Sequence, residues 1–171
     1  VWRNGTQNIS LRFNVTDIDQ NIPAQGANFT FFITTNSSNL DNFDSGTLVT
    51  VNENGTARYD FNPECPYSTG VQRWYGALTP DAYYKYNFSQ NYTLKVKTYI
   101  ALQVIYPTGQ SFLVGTPIPF IGRAFDECYN ISGADVIFRD RFGASGSYSC
   151  TGFTDWGNGT YNCTINRVLP F

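Results

Sequence analysis

Asparagines in Asn-x-Ser/Thr triplets are the most frequent reactive pattern in this 171-residue chain. Such a triplet is the acceptor for an N-linked glycan, which marks a surface position in an exported protein. Eleven of the seventeen asparagines begin a triplet, whereas random order would give about three. The excess predicts an extracellular or cell-surface chain that is heavily N-glycosylated. The acceptors are Asn4, Asn8, Asn14, Asn28, Asn36, Asn54, Asn87, Asn91, Asn130, Asn158 and Asn162.

Disulfide formation is the second chemistry that the sequence offers, because an extracellular setting favours it. The four cysteines allow three pairings. Cys150 and Cys163 flank the turn TDWGNG on strands predicted to face each other, which favours a bridge across a hairpin. Cys65 and Cys128 then remain, in predicted loops at adjoining ends of two domains, and we expect an interdomain disulfide. A free Cys65, or its bridge to another chain, stays an alternative.

Catalytic and metal chemistry have little support. The chain has no histidine, which excludes His-based triads, His general bases and His-ligated zinc or copper. The acidic pairs Asp17/Asp19 and Asp126/Glu127 lack a complete calcium-loop pattern, so a turn-capping role is favoured. We therefore expect no enzyme activity, no catalytic residue, no metal and no cofactor apart from covalent glycans. A secreted carbohydrate-active enzyme with two carboxylates is a third alternative.

Composition narrows the class of protein further. The net charge is −2 and 14% of the residues are charged, so the composition indicates no basic surface that would bind nucleic acid. This segment contains no run of 18 apolar residues, and we therefore expect no membrane span in it. The hydrophobic fraction of 42% is enough for a packed core. Because no signal peptide is recognisable at Val1, we expect a processed or excised segment.

Two parts of the chain resemble each other at a nearly fixed spacing. Residues 19–31, DQNIPAQGANFTF, match residues 126–138, DECYNISGADVIF, at an offset of 107. At the same offset Leu11 and Phe13 match Ile118 and Phe120, and at an offset of 104 the triplet at Asn54 matches that at Asn158. The pattern predicts two copies of one unit of about 105 residues.

The elements that position these residues are predicted to be β-strands, since short runs alternate between apolar and polar residues and end at Gly, Pro, Asn or Asp. In the run 160–165 we expect Tyr161, Cys163 and Ile165 to face a core, and Thr160, Asn162 and Thr164 to face water. About seven short strands in each copy predict an immunoglobulin-like β-sandwich. The clearest runs are Leu11/Phe13/Val15, Phe29/Phe31, Ala57/Tyr59/Phe61, Tyr92/Leu94/Val96, Ile118/Phe120, Val136/Phe138 and Tyr161/Cys163/Ile165.

The fold class is therefore all-β, with tandem immunoglobulin-like sandwiches that are both incomplete within this chain. Residues 1–99 are predicted to form a sandwich that lacks its first strand, and residues 100–171 one that lacks its last strands, with a short linker at 98–101. Two interpretations remain open. The chain is a window on a longer repeat protein, or neighbouring subunits supply the missing strands.

Five aromatic residues of the first copy form a cluster: Trp74, Tyr75, Tyr83, Tyr84 and Tyr86. These rings are suited to stacking on the sugar rings of a ligand. Packing of Trp74 in the core, with the tyrosines at its rim, is the favoured interpretation.

Several segments together resemble the tandem Ig-like repeats of archaeal or bacterial surface-layer and surface-filament glycoproteins. They are GADVIF, NGTYNCT, NENGTARYDF, VQRWYGALTPDAYYKY and NYTLKV. The resemblance implies a structural, glycosylated exterior component, with adhesion as a common use. We expect a repeat or subunit of a cell-surface filament or array, joined head-to-tail to copies of itself or to flanking repeats, with strand donation as one route. The alternative is an adhesin or receptor ectodomain that binds glycan or protein ligands through its loops.

Overall fold

A computed structural model of the chain describes residues 1–3, 5–113, 115–142, 146–150 and 153–165. The chain divides into two compact units, unit 1 at Val1–Thr98 and unit 2 at Tyr99–Phe171. The described residues contain strands, turns and bends but no helix, and hence no helix that is able to cross a membrane. The predicted all-β, immunoglobulin-like fold class is confirmed, whereas the absence of end strands from each sandwich stays a prediction.

Unit 1 contains ten strands among its described residues. They are β1 (Ile9–Asn14), β2 (Thr16–Asp17), β3 (Ile22–Pro23), β4 (Asn28–Asn36), β5 (Asn39–Phe43), β6 (Thr47–Thr50), β7 (Thr56–Phe61), β8 (Gly70–Leu78), β9 (Asn87–Phe88) and β10 (Tyr92–Val96). Eight of them form two main sheets. The ladder β1–β7 is one sheet, and the order β10–β8–β4–β5, with β6 on β4 and β9 on β8, is the other. A short ladder joins the remaining two, β2 and β3.

The core of unit 1 lies between its two main sheets and is rich in aromatic rings. Phe13 on β1 packs against Phe29 and Phe31 on β4, with ring centroids 5.2 and 5.8 Å apart. Phe31 also contacts Tyr59 on β7 at 5.9 Å. These pairs cross from one sheet to the other, so the period-two pattern of each strand does place its apolar side on a shared core. The fully buried apolar members include Ala27, Phe31, Ile33, Ala57 and Phe61.

Unit 2 contains six strands among its described residues. They are β11 (Ala101–Tyr106), β12 (Ile118–Phe125), β13 (Arg139–Phe142), β14 (Gly146–Ser149), β15 (Thr154–Asp155) and β16 (Thr160–Ile165). Four of them form a sheet in the order β11–β12–β16–β15, and the other two form the hairpin β13–β14.

A glycine closes one end of the sandwich in unit 1, and we call this contact the glycine corner. The Val15 amide donates to the Gly55 carbonyl oxygen (2.7 Å), and the Ala24 amide donates to the Val15 carbonyl oxygen (3.1 Å). Gly55 has φ +76°, and a Cβ atom built on it would lie 2.8 Å from the Val15 oxygen. Only glycine meets both requirements without strain.

The same corner recurs in unit 2. The Ala124 amide donates to the Gly159 carbonyl oxygen (2.9 Å), and the Ile131 amide donates to the Ala124 carbonyl oxygen (2.9 Å). Gly159 has φ +79°, and a Cβ atom there would lie 2.8 Å from the Ala124 oxygen. The internal repeat is therefore present in the backbone as well as in the sequence.

The offset of 107 is wrong for the first strand of the repeat, where the structure gives 109. Oδ1 of Asp17 accepts hydrogen bonds from the amides two and three residues later in the chain, and Oδ1 of Asp126 accepts the same two hydrogen bonds. The counterpart of Asp126 is therefore Asp17 and not Asp19. The loop from this aspartate to the glycine at 26 or 133 is two residues shorter in unit 2. A shift of two residues in the alignment of the two copies leaves every strand residue on the same face, so the alternation of apolar and polar residues does not reveal the shift.

Large and small residues exchange places between the two units. Phe13 on β1 lies opposite Ala57 on β7, whereas Gly122 on β12 lies opposite Tyr161 on β16. Each pair contributes one aromatic ring to its core, from opposite strands. The Tyr161 hydroxyl donates to the Ile131 carbonyl oxygen (2.8 Å) and accepts from an amide at 3.0 Å, so the buried ring brings no unpaired polar group with it.

Two local predictions are wrong. The run Val136/Phe138 was predicted to form a strand, but it precedes β13, which begins at Arg139. Val136 and Phe138 are nevertheless half-buried and Ile137 is exposed, so side-chain exposure still alternates along the run. Thr160 is buried and does not face water. It is the first residue of β16, and its carbonyl oxygen accepts a hydrogen bond from the Trp156 amide (2.9 Å) in the turn before the strand, so it belongs to the turn as much as to the strand.

The glycine corner predicts the effect of alanine substitutions. Gly55→Ala and Gly159→Ala should each destabilise their unit by more than about 2 kcal/mol, because a positive φ and a Cβ–oxygen clash act together. Gly26→Ala is the matched control: Gly26 has φ +81° but nothing within 4 Å of its Cβ position, so only the backbone term of about 1 kcal/mol remains. Urea unfolding of the three variants measures this, and equal losses would contradict the clash.

Candidate functional site

The glycan acceptors lie on the outside of the chain. Asn4 lies outside the described residues; of the other ten, eight are exposed, Asn28 and Asn162 are half-buried, and none is buried. Glycans therefore fit on the described acceptors without opening the core. The exposed acceptors are Asn8, Asn14, Asn36, Asn54, Asn87, Asn91, Asn130 and Asn158.

At two acceptors the asparagine side chain shapes its own turn. Oδ1 of Asn36 accepts a hydrogen bond from the Ser38 amide (2.9 Å), and Oδ1 of Asn158 accepts one from the Thr160 amide (3.0 Å). These Asx turns use the oxygen, whereas a glycan is attached to the nitrogen. Modification is compatible with both turns.

Two of the three cysteines of unit 2, Cys150 and Cys163, form a disulfide, and their Cα atoms are 6.3 Å apart. The bridge does not cross a hairpin, as the sequence suggested, because β16 pairs with β15 and Cys150 lies after β14. It therefore fastens the hairpin β13–β14 to the four-stranded sheet. The pairing of Cys65 with Cys128 joins residues of different units and stays a prediction.

The carboxylate of Asp155 holds two loops of unit 2. Its Oδ2 accepts a hydrogen bond from the Gly133 amide (2.6 Å), and its Oδ1 accepts one from the Gly157 amide (2.7 Å). The hydrogen bond from Gly133 is the larger cause that lowers the pKa of Asp155 below its usual value. This carboxylate thereby fixes the turn that carries the acceptor Asn158.

One member of each acidic pair caps a turn. Asp17 and Asp126 each accept two backbone amides through Oδ1 at 2.7–3.1 Å. This is the turn-capping role that the sequence favoured for them. Among the described residues no three His, Cys, Asp or Glu side chains group into a potential metal site.

The predicted aromatic cluster is divided: Trp74 and Tyr75 lie on opposite faces of β8, and the other three tyrosines lie between β8 and β9. Trp74 packs towards the core against Phe13 and Tyr92, with centroids 5.4 and 5.0 Å apart. Tyr75 faces the other way. Tyr84 packs on the core cluster, whereas Tyr83 is 89% exposed. The structure does not bring these five rings together into one binding surface.

A different set of rings forms an open groove on the outer face of the six-stranded sheet, and we call it the aromatic groove. Its volume is about 310 Å³ and its lining residues are Phe43, Tyr75, Tyr86, Phe88, Ser89 and Asn91. Tyr75 contacts Phe43 edge-on with centroids 5.0 Å apart, and burial is the main cause that raises the pKa of its phenol. Tyr86 and Phe88 lie 6.0 Å apart and are 59% and 65% exposed. Sequence reasoning missed Phe43 and Phe88.

Unit 2 has an open apolar surface, which we call the apolar face, formed by Leu102, Val104, Phe120, Ile137 and Phe138. These side chains line a cavity of about 360 Å³. Leu102 and Val104 on β11 are 73% and 63% exposed. They belong to the same side of the sheet as Phe120, so this is the side that corresponds to a sandwich core.

The pKa shift of Asp155 predicts a pH-dependent stability of unit 2. A lowered pKa means that the carboxylate stabilises the folded state above the usual aspartate pKa of 3.8, and that this stabilisation is lost as the pH falls through the folded-state value. The difference in stability between wild type and Asp155→Asn should therefore be largest near neutral pH and should vanish in acid.

Urea unfolding followed by the fluorescence of Trp156 measures this difference across the pH range. Asp135→Asn removes an exposed carboxylate in the same unit and is the matched control. A difference for Asp155→Asn that is constant with pH would contradict the linkage.

The sequence matches no protein-family model and no curated protein. Among solved structures, the chain is similar to the crystal structure of invasin, a bacterial integrin-binding protein, with 17% identity and a TM-score of 0.47. The match covers 98% of this chain and 31% of the invasin chain, so this chain spans about a third of that protein's length. A similarity at this level says nothing about what this chain binds.

Proposed function

We propose that the chain is a structural subunit of an extracellular, N-glycosylated filament or array at a cell surface, and that it assembles head-to-tail with other copies. It performs no catalysis in this role. Its β-sandwich units bear load, and its glycans hydrate the outer faces. The proposal places the chain in an oxidising environment, which suits the disulfide between Cys150 and Cys163.

The apolar face of unit 2 is the observation that carries this proposal. In unit 1 the corresponding side of the sheet is covered, and Leu11 is only 3% exposed. Its counterpart Phe120 is half-buried, and its neighbours Leu102 and Val104 are exposed. Burying one such side chain stabilises by about 1.5–3 kcal/mol, so a strand of another copy laid on this face would gain several such increments.

The distribution of glycan acceptors supports the same arrangement. Acceptors occur on many of the outer surfaces, including those of β1, β4 and β16, whereas the apolar face contains none among its lining residues. A bulky hydrated glycan prevents sideways pairing of sheets where it is attached. Because its lining residues include no acceptor, the apolar face stays available for a neighbouring subunit.

Assembly in solution tests the proposal. The glycosylated chain should form concentration-dependent oligomers that light scattering detects and that electron microscopy resolves as head-to-tail chains. Val104→Glu should abolish them, because a carboxylate on the apolar face cannot be covered by an apolar strand without a large desolvation cost.

Leu48→Glu is the matched control, since Leu48 is 61% exposed on β6 of unit 1 and is not among the residues that line the apolar face. It should assemble like wild type. A wild-type chain that stays monomeric, or an equal loss in both variants, would overturn the proposal.

An adhesin or receptor ectodomain is the second candidate, and the exposed rings of Tyr83 and Tyr86 favour it. If a soluble glycan or protein ligand binds through the loops, Tyr83→Ala or Tyr86→Ala should weaken binding on a glycan or protein array. Trp74→Ala and Tyr84→Ala are less informative, because both side chains pack on the core cluster and their loss would also destabilise unit 1.

A further inference from the structure

We propose that the aromatic groove is a carbohydrate site for the chain's own glycan at Asn91, whose first sugars lie against Tyr86 and Phe88. This inference rests on the glycosylated character assigned under the proposed function. It goes further by giving one of the acceptors a partner surface within the same chain.

The attachment point lies at the groove itself, because Asn91 is one of its lining residues. Asn91 is exposed and begins the triplet Asn91-Tyr92-Thr93. A glycan attached there therefore starts at the rim of the groove and needs no long reach to enter it.

The backbone around Asn91 is held on both sides. Before it, Ser89 is fixed to β8, because its amide donates to the Gly76 carbonyl oxygen (2.9 Å) and its hydroxyl accepts from the Gly76 amide (3.1 Å). After it, β10 begins with the pair Tyr92 and Trp74. The backbone at Asn91 is thus held between two ladders, β9 on β8 and β10 on β8, which limits the directions in which a glycan leaves the chain.

The groove has the chemistry that recognises a neutral sugar. Its six lining residues carry no formal charge, which disfavours an ionic ligand. The exposed ring faces of Tyr86 and Phe88 are electron-rich and suit the C–H face of a pyranose, while the tyrosine hydroxyls offer hydrogen bonds. A volume of about 310 Å³ lies at the small end of ligand pockets, which extend from about 300 to 1,000 Å³.

Attachment makes a weak contact effective. A tethered ligand has an effective concentration in the millimolar range, so a sugar with a Kd of that order fills the groove about half of the time or more. The same contact with a free sugar would be negligible at ordinary concentrations. This favours the chain's own glycan over a soluble saccharide as the occupant.

Chemical access to Tyr86 tests the inference. The chain is produced in an N-glycosylating host, and peptide mapping by mass spectrometry gives the fraction of Asn91 that carries a glycan. The same fraction is measured for Asn54, which is the matched control acceptor because it is not among the lining residues of the aromatic groove. Nitration of Tyr86 is then compared between wild type and Thr93→Val, which removes the acceptor triplet but keeps Asn91. Loss of the glycan should raise the nitration rate at least about twofold, as expected for a groove occupied half of the time.

Three readouts separate the outcomes. Tyr83, which is 89% exposed, should react equally in both proteins. Thr56→Val removes the acceptor triplet of Asn54 and should leave Tyr86 unchanged. In a Phe88→Ala background, removal of the Asn91 glycan should have a smaller effect on Tyr86, because part of the surface that holds the sugar is gone.

Occupied Asn91 with an unchanged rate at Tyr86 would overturn this inference and leave the proposed function standing. Empty Asn91 beside an occupied Asn54 would overturn it as well. If no acceptor carries a glycan, the glycosylated surface role fails first and the inference fails with it. If only added free saccharide protects Tyr86, the groove serves a partner's sugar and the inference is wrong.

Discussion

The close approach of a backbone carbonyl to a turn glycine is the constraint on which each unit depends. At the glycine corner a residue at the end of a core strand donates its amide to the glycine carbonyl oxygen and accepts a loop amide at its own oxygen. This residue is Val15, directly after β1, in unit 1, and Ala124, the last but one of β12, in unit 2. Three backbone segments meet where a side chain has no room. This contact fixes the position at which the loop after the core strand returns to the sandwich. It thereby helps to fix the register of the strand that follows the glycine, and hence which of its faces meets the core.

The two cores are built on that shared corner with different side chains. Unit 1 fills its core with Phe13 against Ala57, and unit 2 with Tyr161 against Gly122. Total volume across the pair is roughly kept, which is the condition that close-packed interiors impose. The tyrosine adds a hydroxyl to the core, and the Ile131 carbonyl oxygen and the Ala134 amide, which are distant from it in the chain, satisfy that hydroxyl.

Much of the fold follows from local pattern, because alternation with period two identifies the face of a strand directly. It placed Phe31, Ala57, Phe61 and Tyr161 inside and left the acceptor asparagines outside. The same pattern is blind to a shift of two residues, which explains the wrong offset at Asp19. Turn aspartates were recognisable because their hydrogen bonds are made within three residues.

The candidate surfaces were harder to predict, because they combine residues that are distant in the chain. The aromatic groove takes Phe43 from β5, Tyr75 from β8 and Phe88 from β9, and only strand order brings them together. Conversely, Tyr83 and Tyr84 are adjacent in sequence, but one is exposed and the other packs on the core. No local signal distinguishes such neighbours within a loop.

The exchange of large and small residues has a consequence for how tandem repeats avoid misfolding into each other. If β12 of one unit paired with β7 of the other at the equivalent register, Gly122 would meet Ala57 and leave a void the size of an aromatic ring. The reverse exchange would set Phe13 against Tyr161, and two rings would compete for one space. Both hybrids are penalised by packing alone. The different sizes of the residues at this one cross-strand pair therefore disfavour strand exchange between two copies of one fold.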